Sequence, residues 1–350
     1  MLSIEKKIVT HLTKCYCILP FQYQGYRRYL VASEKQFPCI MLDTAGNVLE
    51  EIWAEPGGTM SMVYIPGTDG KFLASHKMYS PNDSKEAKIV LVEPPQSPGP
   101  WKITTLVELP HVHRFDLLTR NGRQYLIACT ICSGRDYKDD WSYPGKVYAA
   151  CLPAGFPDNC PLPLQMQELK SGLLKNHGYS RVEENGVVSA LITCENGVYV
   201  FTPPASAGDS WEIRTLLEEP VSDALLLDLD HDGQKELITL APFHGDFVAV
   251  YHNTPQGYKK VYQLEQEFLF GHAICAAHLG GLDCVVLGAR KGARDLIRLY
   301  YGGPGQGDYR YDCIDHDVGS ANVMYDVVNG QDILLSANRE IDEIAYYIIK

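Results

Sequence analysis

The sequence predicts an all-β fold: a seven-bladed β-propeller whose last blade is closed by an N-terminal strand. Two observations carry the prediction. A Trp- or Tyr-led segment recurs, with WKITTLVELP from Trp101 and WEIRTLLEEP from Trp211 agreeing at Trp, Ile, Thr, Leu, Glu and Pro, and with weaker echoes from Gly257 and Asp308. Trp211, Tyr258 and Tyr309 are 47 and 51 residues apart, and the 110 residues from Trp101 to Trp211 leave room for one longer unit. A fixed period near fifty, filled by short alternating apolar–polar segments, suits four-stranded blades. Second, Asn-Gly or Asp-Gly stands between the first two segments of several units (NGRQ, NGVV, HDGQ, NGQD), where positive φ favours a hairpin. A pair of β-sandwiches is the alternative, but sandwiches have no reason to repeat at a fixed period.

The blades fall near 12–55, 58–110, 111–175, 176–220, 221–269, 270–317 and 318–350 of a single propeller domain, 1–350. The seventh has three strands only. Residues 3–11, SIEKKIVTH, repeat the pattern of WKITTLVEL and are expected to supply the fourth, removing two free sheet edges.

Composition narrows the function. Lys+Arg 31 against Asp+Glu 43 gives a net charge of -12, which repels phosphate backbones and argues against a nucleic-acid partner. No apolar run approaches the ~18–20 residues that span a bilayer, so no membrane partner is expected. The first residues, MLSIEKKIVTHLTKCYC, lack the apolar core of a signal peptide. The cysteines total 11, an odd number, and Cys129, Cys194, Cys275 and Cys284 sit in apolar segments. Free thiols in a reducing cytoplasm explain this better than disulfides. Cys129/Cys132 and Cys15/Cys17 lack a partner pair at zinc-finger spacing and read as core. The sequence leaves the oligomeric state open.

In a blade, the start of the first strand and the end of the second share one face. His113, His177 and His272 stand at first-strand starts, where Asp223 holds the corresponding place in blade five. His76, Arg135, His244, Arg290 and Arg339 stand at or just beyond second-strand ends. All should gather on one rim of the central channel. Three convergent imidazoles suit Zn²⁺ or Mn²⁺; the alternative is hydrogen bonding across a polar channel. His111, two residues before His113, is expected on the same strand face as a reserve ligand. Residues 133–145, SGRDYKDDWSYPG, form an insertion that should overhang this rim, with Tyr137, Trp141 and Tyr143 offering stacking faces for a sugar-like ligand or packing as an ordinary surface loop. Lys77 and Arg290 are placed to join them.

A different metal signal lies at Asp228, Asp230, Asp232 and Glu236, in DLDHDGQKE. Alternate carboxylates around a Gly turn suit Ca²⁺, or Mg²⁺; an acidic hairpin turn without metal is the alternative. The position is at the far face, away from the histidines.

This loop resembles the calcium loops of FG-GAP/VCBS-type propellers. With the segments HVHRFD, NHGYS and FGHA, the chain resembles the propeller domain of the aldos-2-ulose (anhydrofructose) dehydratases, without their cupin and lectin domains. The resemblance implies a zinc-containing carbohydrate lyase or dehydratase that carries out β-elimination on a keto-sugar or uronate. On that reading His113, His177 and His272 hold the metal and His244 or His76 is the base. Tyr179 is the acid, and Arg135 and Arg339 neutralise the enediolate. The rival class is a non-catalytic propeller serving as a scaffold or sugar-binding module.

Overall fold

The computed structural model describes residues 2–206, 208–304 and 308–350. It contains seven antiparallel four-stranded sheets. The first strands of the sheets are Cys15–Tyr23, Met62–Tyr64, Val112–Arg120, Gly178–Glu184, Asp223–Leu227, Gly271–Leu279 and Asn322–Val328. Each touches the first strand of the next sheet, and the last returns to the first, so these seven strands ring a central channel. The fold class is therefore the expected seven-bladed propeller.

The seventh sheet runs Asn322–Val328, Gln331–Asn338, Glu343–Ile349 and then Ile4–His11. Ile4 pairs with Ile349 and His11 with Glu343, which covers the edge that Glu343–Ile349 would otherwise expose. Lys6 adds ion pairs at 2.8 Å to Asp315 and to Glu343, tying the closing strand to blades six and seven.

Burial follows position within the blade. Second strands such as Glu236–Ala241 are buried throughout, while the outer strand Glu212–Leu217 is mostly exposed. Apolar side chains fill the wedges between neighbouring sheets; between the first two blades Trp53 stacks on Phe72, which meets Trp101 at a tilt. Each fully buried Leu, Val, Ile or Phe contributes about 1.5–3 kcal/mol, so these wedges hold the ring closed. All 11 cysteines are free, and seven of them are buried, among them Cys129, Cys194 and Cys284. Among the described residues no helix is long and apolar enough to cross a membrane.

Candidate metal centre and channel cavity

Three first strands begin with a β-bulge. Val112 faces Thr130 and Arg114 faces Cys129, leaving His113 as the extra residue; His272 and Tyr16 are the extra residues of the same kind in blades six and one. A bulge re-aims side chains that strict alternation would send elsewhere. His177 and Ser222 occupy the matching positions in blades four and five, immediately before their strands.

A relay of hydrogen bonds links these positions. The Nδ1 of His113 donates to the His177 carbonyl (3.1 Å), that of His177 to the Ser222 carbonyl (3.2 Å), and that of His272 to the Ala321 carbonyl (2.8 Å). Ser61 Oγ donates likewise to the His113 carbonyl (3.1 Å). A carbonyl only accepts, so each imidazole carries its proton on Nδ1 and offers an Nε2 lone pair. His272 Nε2 accepts from the Tyr16 hydroxyl at 3.0 Å, whereas the buried His177 Nε2 has no partner among the described residues. Anchoring one ring nitrogen to a carbonyl is what a metal-bound histidine requires.

The third imidazole of the group is His244. Its backbone is left-handed (φ 57°), and its amide donates to Ser222 Oγ at 3.0 Å. The ring is sandwiched between Phe243 (3.8 Å) and Phe270 (4.1 Å). Ligand-type nitrogens of His177, His244 and His272 all lie within 4.8 Å of one another. The neutral imidazoles, the anchored tautomers and the orphaned His177 Nε2 fit Zn²⁺ or Mn²⁺. Burial is the main force holding these rings unprotonated. It takes His177 down to about 3, with help from the Arg114 charge, and holds His113, His244 and His272 well below the usual histidine range.

A cavity of about 220 Å³ adjoins the group, sharing His272 with it. Arg114, Asp116, Tyr179 and Asp223 supply its polar lining. Arg114 donates to the Met60 carbonyl (2.7 Å) and lies over the Tyr16 ring. Burial lifts the Asp223 carboxyl to about 7, against the opposing pull of Arg114. Tyr179 donates to Asp116 (2.7 Å), which Arg181 grips with two bonds of 2.6 Å. Gly178 is required here: a Cβ would sit 2.6 Å from Asp223 Oδ1 and from the Ser222 carbonyl.

The grouping differs from the one the spacing suggested. His113 stacks beside His177 (4.7 Å between ring centres) but lies outside the three. His244, expected to move protons, joins them instead. His76 is buried, its ring contact is Trp53 (4.7 Å), and no channel histidine touches it. His111 precedes its strand with φ 65° and is tied to Ser84 Oγ (2.7 Å), so it does not share a face with His113.

At the rim, Trp141 packs edge-on against Phe243 (5.3 Å) beneath the Arg135 guanidinium (3.9 Å). Arg135 bonds to Asn82, and two of its nitrogens are buried without partners. Arg290 and Arg339 share Glu340, and Arg339 also binds Glu34. Both are thus neutralised by carboxylates. Tyr137 is 69% exposed, Tyr143 is tied to Asp136, and Lys77 to Glu86. Sequence reasoning missed Tyr16, Arg114, Asp116, Phe243 and Phe270. Tyr16 was findable, since it opens the first strand of blade one where His113 and His272 open theirs.

At the opposite end of the blade-five strand Asp223–Leu227, the carboxylates of Asp228, Asp230, Asp232 and Glu236 lie within 4.8 Å of one another. Asp228 Oδ1 is buried without a partner, and burial lifts Glu236 to about 7. An orphaned oxygen and a buried acid among further carboxylates fit Ca²⁺ or Mg²⁺.

No protein-family model matches the chain. No curated protein matches it by sequence. Solved propellers do match by shape. The Cps50 (Swd1) β-propeller domain of Myceliophteria thermophila superposes with a TM-score of 0.61 at 10% identity, covering 98% of this chain and 99% of that one. The WD40 β-propeller domain of Doa1 gives 0.58 at 12% identity, with 99% and 97% covered. The Dos1 propeller gives 0.58 at 8%, with 97% and 82% covered. Such likenesses establish the fold alone, so the resemblance to FG-GAP/VCBS propellers and to the dehydratases rests on the residues quoted above.

Proposed function

We propose that the protein is a divalent-metal-dependent lyase that performs β-elimination on a small keto-sugar or uronate bound in the channel. The single observation that carries this reading is the trio of neutral imidazoles His177, His244 and His272, two of them anchored through Nδ1, beside a cavity with an acid that titrates near neutrality. A bound Zn²⁺ or Mn²⁺ would supply Lewis-acid stabilisation of the developing enolate. Asp223, at about 7, accepts the proton next to the carbonyl and, once protonated, gives it to the departing β-oxygen, so that the C–H and C–O bonds break as the C=C bond forms. The Arg114 guanidinium faces the same cavity and offsets the negative charge that develops. The Tyr179 hydroxyl, committed to Asp116, orients substrate oxygens and stays protonated, because burial and that carboxylate push it well above the usual range. A volume of about 220 Å³ is below the ~300–1,000 Å³ of drug-sized sites and suits one sugar unit.

The second reading, a sugar-binding module without turnover, draws on the exposed Tyr137 at the rim and on the prior pairing of Arg290 and Arg339 with carboxylates. Incubating metal-loaded protein with 1,5-anhydrofructose and with uronate oligosaccharides, and following the conjugated product by ultraviolet absorbance, separates the two. Turnover that falls a hundredfold or more in Asp223→Asn supports the lyase. Saturable binding of these sugars without product supports the module.

A further inference from the structure

Blade six carries another group of ligand-type side chains, on its outer strand Tyr309–Asp315. Leu296 faces Asp315 while Ile297 faces Cys313, so Ile314 is an extra residue in that strand. Cys313 and His316 are three positions apart, and strict alternation would send them to opposite faces. The extra residue brings them to one side. Asp295, buried just before the strand Leu296–Tyr301, completes the group. Its Oδ2 accepts from Gln266 Nε2 of blade five at 3.0 Å. Its Oδ1 lies 2.9 Å from His316 Nδ1, and Cys313 Sγ lies 3.4 Å from that same nitrogen.

One ring nitrogen holds either a proton or a lone pair. Donating to the carboxylate, it offers the thiol no lone pair, and the Cys313 proton is left to the Asp315 carbonyl at 3.3 Å. A cation satisfies all three donors, whose atoms lie within 4.8 Å of one another. Bonds of about 2.3 Å to sulfur and 2.0–2.1 Å to nitrogen in a tetrahedral zinc site hold those two atoms roughly 3.5 Å apart, close to the separation found here.

We infer that Asp295, Cys313 and His316 form a third metal site, for a thiophilic divalent cation of the Zn²⁺ class, with Gln266 orienting the carboxylate. Binding releases the thiol proton to solvent, leaves sulfur as thiolate, and ties blade five to the outer strand of blade six.

Co²⁺ titration of the full chain tests this, because a thiolate-to-cobalt charge-transfer band requires a sulfur ligand and the three channel ligands have none. The wild type is expected to show the band and to lose it on adding Zn²⁺. Cys313→Ser abolishes it, His316→Ala weakens Co²⁺ binding tenfold or more, and Gln266→Ala weakens it about tenfold. His177→Ala/His244→Ala keeps the band. A wild type without the band at saturating Co²⁺, or a band that survives in Cys313→Ser, overturns the inference.

Discussion

The Nδ1 of His177 donates to the Ser222 carbonyl across 3.2 Å, and the opposite nitrogen of the same buried ring has no hydrogen-bond partner among the described residues. Leaving such a nitrogen unmatched costs on the order of 1–3 kcal/mol, a cost that ligation removes. His244→Ala is therefore expected to weaken Zn²⁺ binding at the channel a hundredfold or more. His113→Ala, outside the trio, should change it less than tenfold. Isothermal titration of both variants with Zn²⁺ checks this, and equal losses would return His113 to the ligand set.

Acid sensitivity has a named contributor in His76. Burial, reinforced by the Lys88 charge, lowers it from the ordinary 6.5 to about 4. Between those values the unfolded chain takes up a proton that the native chain refuses. The stability it confers is whole above pH 6.5 and is lost as the pH falls toward 4, by about 1.4 kcal/mol per unit. His76→Phe keeps a ring against Trp53 and should flatten the slope of urea unfolding free energy between pH 5 and 6.5 by roughly that amount. An unchanged slope would show that His76 does not titrate this way.

Asp223→Asn should separate stability from activity. A carboxyl raised to about 7 in the fold is charged only at a cost, so native stability declines as the pH climbs from the unfolded value toward 7 and stays reduced above it. At pH 8 the variant is expected to be more stable than wild type by on the order of 1–3 kcal/mol in denaturant unfolding, while turnover falls. A destabilised variant at pH 8 contradicts the assignment of Asp223 as a strained acid.

Calcium is expected to stabilise the fold through Asp228, Asp230, Asp232 and Glu236. At a concentration a hundred times its dissociation constant, a single site adds about 2.7 kcal/mol. Calorimetry with Ca²⁺ and then with chelator reads the shift in Tm, and Glu236→Gln should remove most of it. A Tm indifferent to Ca²⁺ would leave the loop as an acidic turn.

Removing residues 2–11 takes away the strand Ile4–His11 and uncovers the edge of Glu343–Ile349. The truncated chain is expected to lose monodispersity in size-exclusion chromatography and to unfold at lower denaturant, because an open edge pairs with other chains. Unchanged elution and midpoint would mean that the closing strand is dispensable.

Period and closure were legible in the amino-acid sequence. Those depend on the Trp- and Tyr-led outer strands and the Asn-Gly turns, and alternation and turn chemistry are local properties. The sequence also placed His177 and His272 at the channel and the Asp228–Glu236 loop at the far end of its strand. Which histidines meet depends on the folded ring. The bulges at Tyr16, His113 and His272 add one residue to a two-residue alternation and so change which side chains face inward, which brings Arg114 and Asp116 onto the cavity. His244 reaches the trio through a left-handed backbone and a clamp between Phe243 and Phe270, one of which comes from the next blade. His76 has the same repeat position as an inward-facing residue, yet Trp53 of the neighbouring blade captures its ring. Contacts between blades are non-local, and no single repeat encodes them.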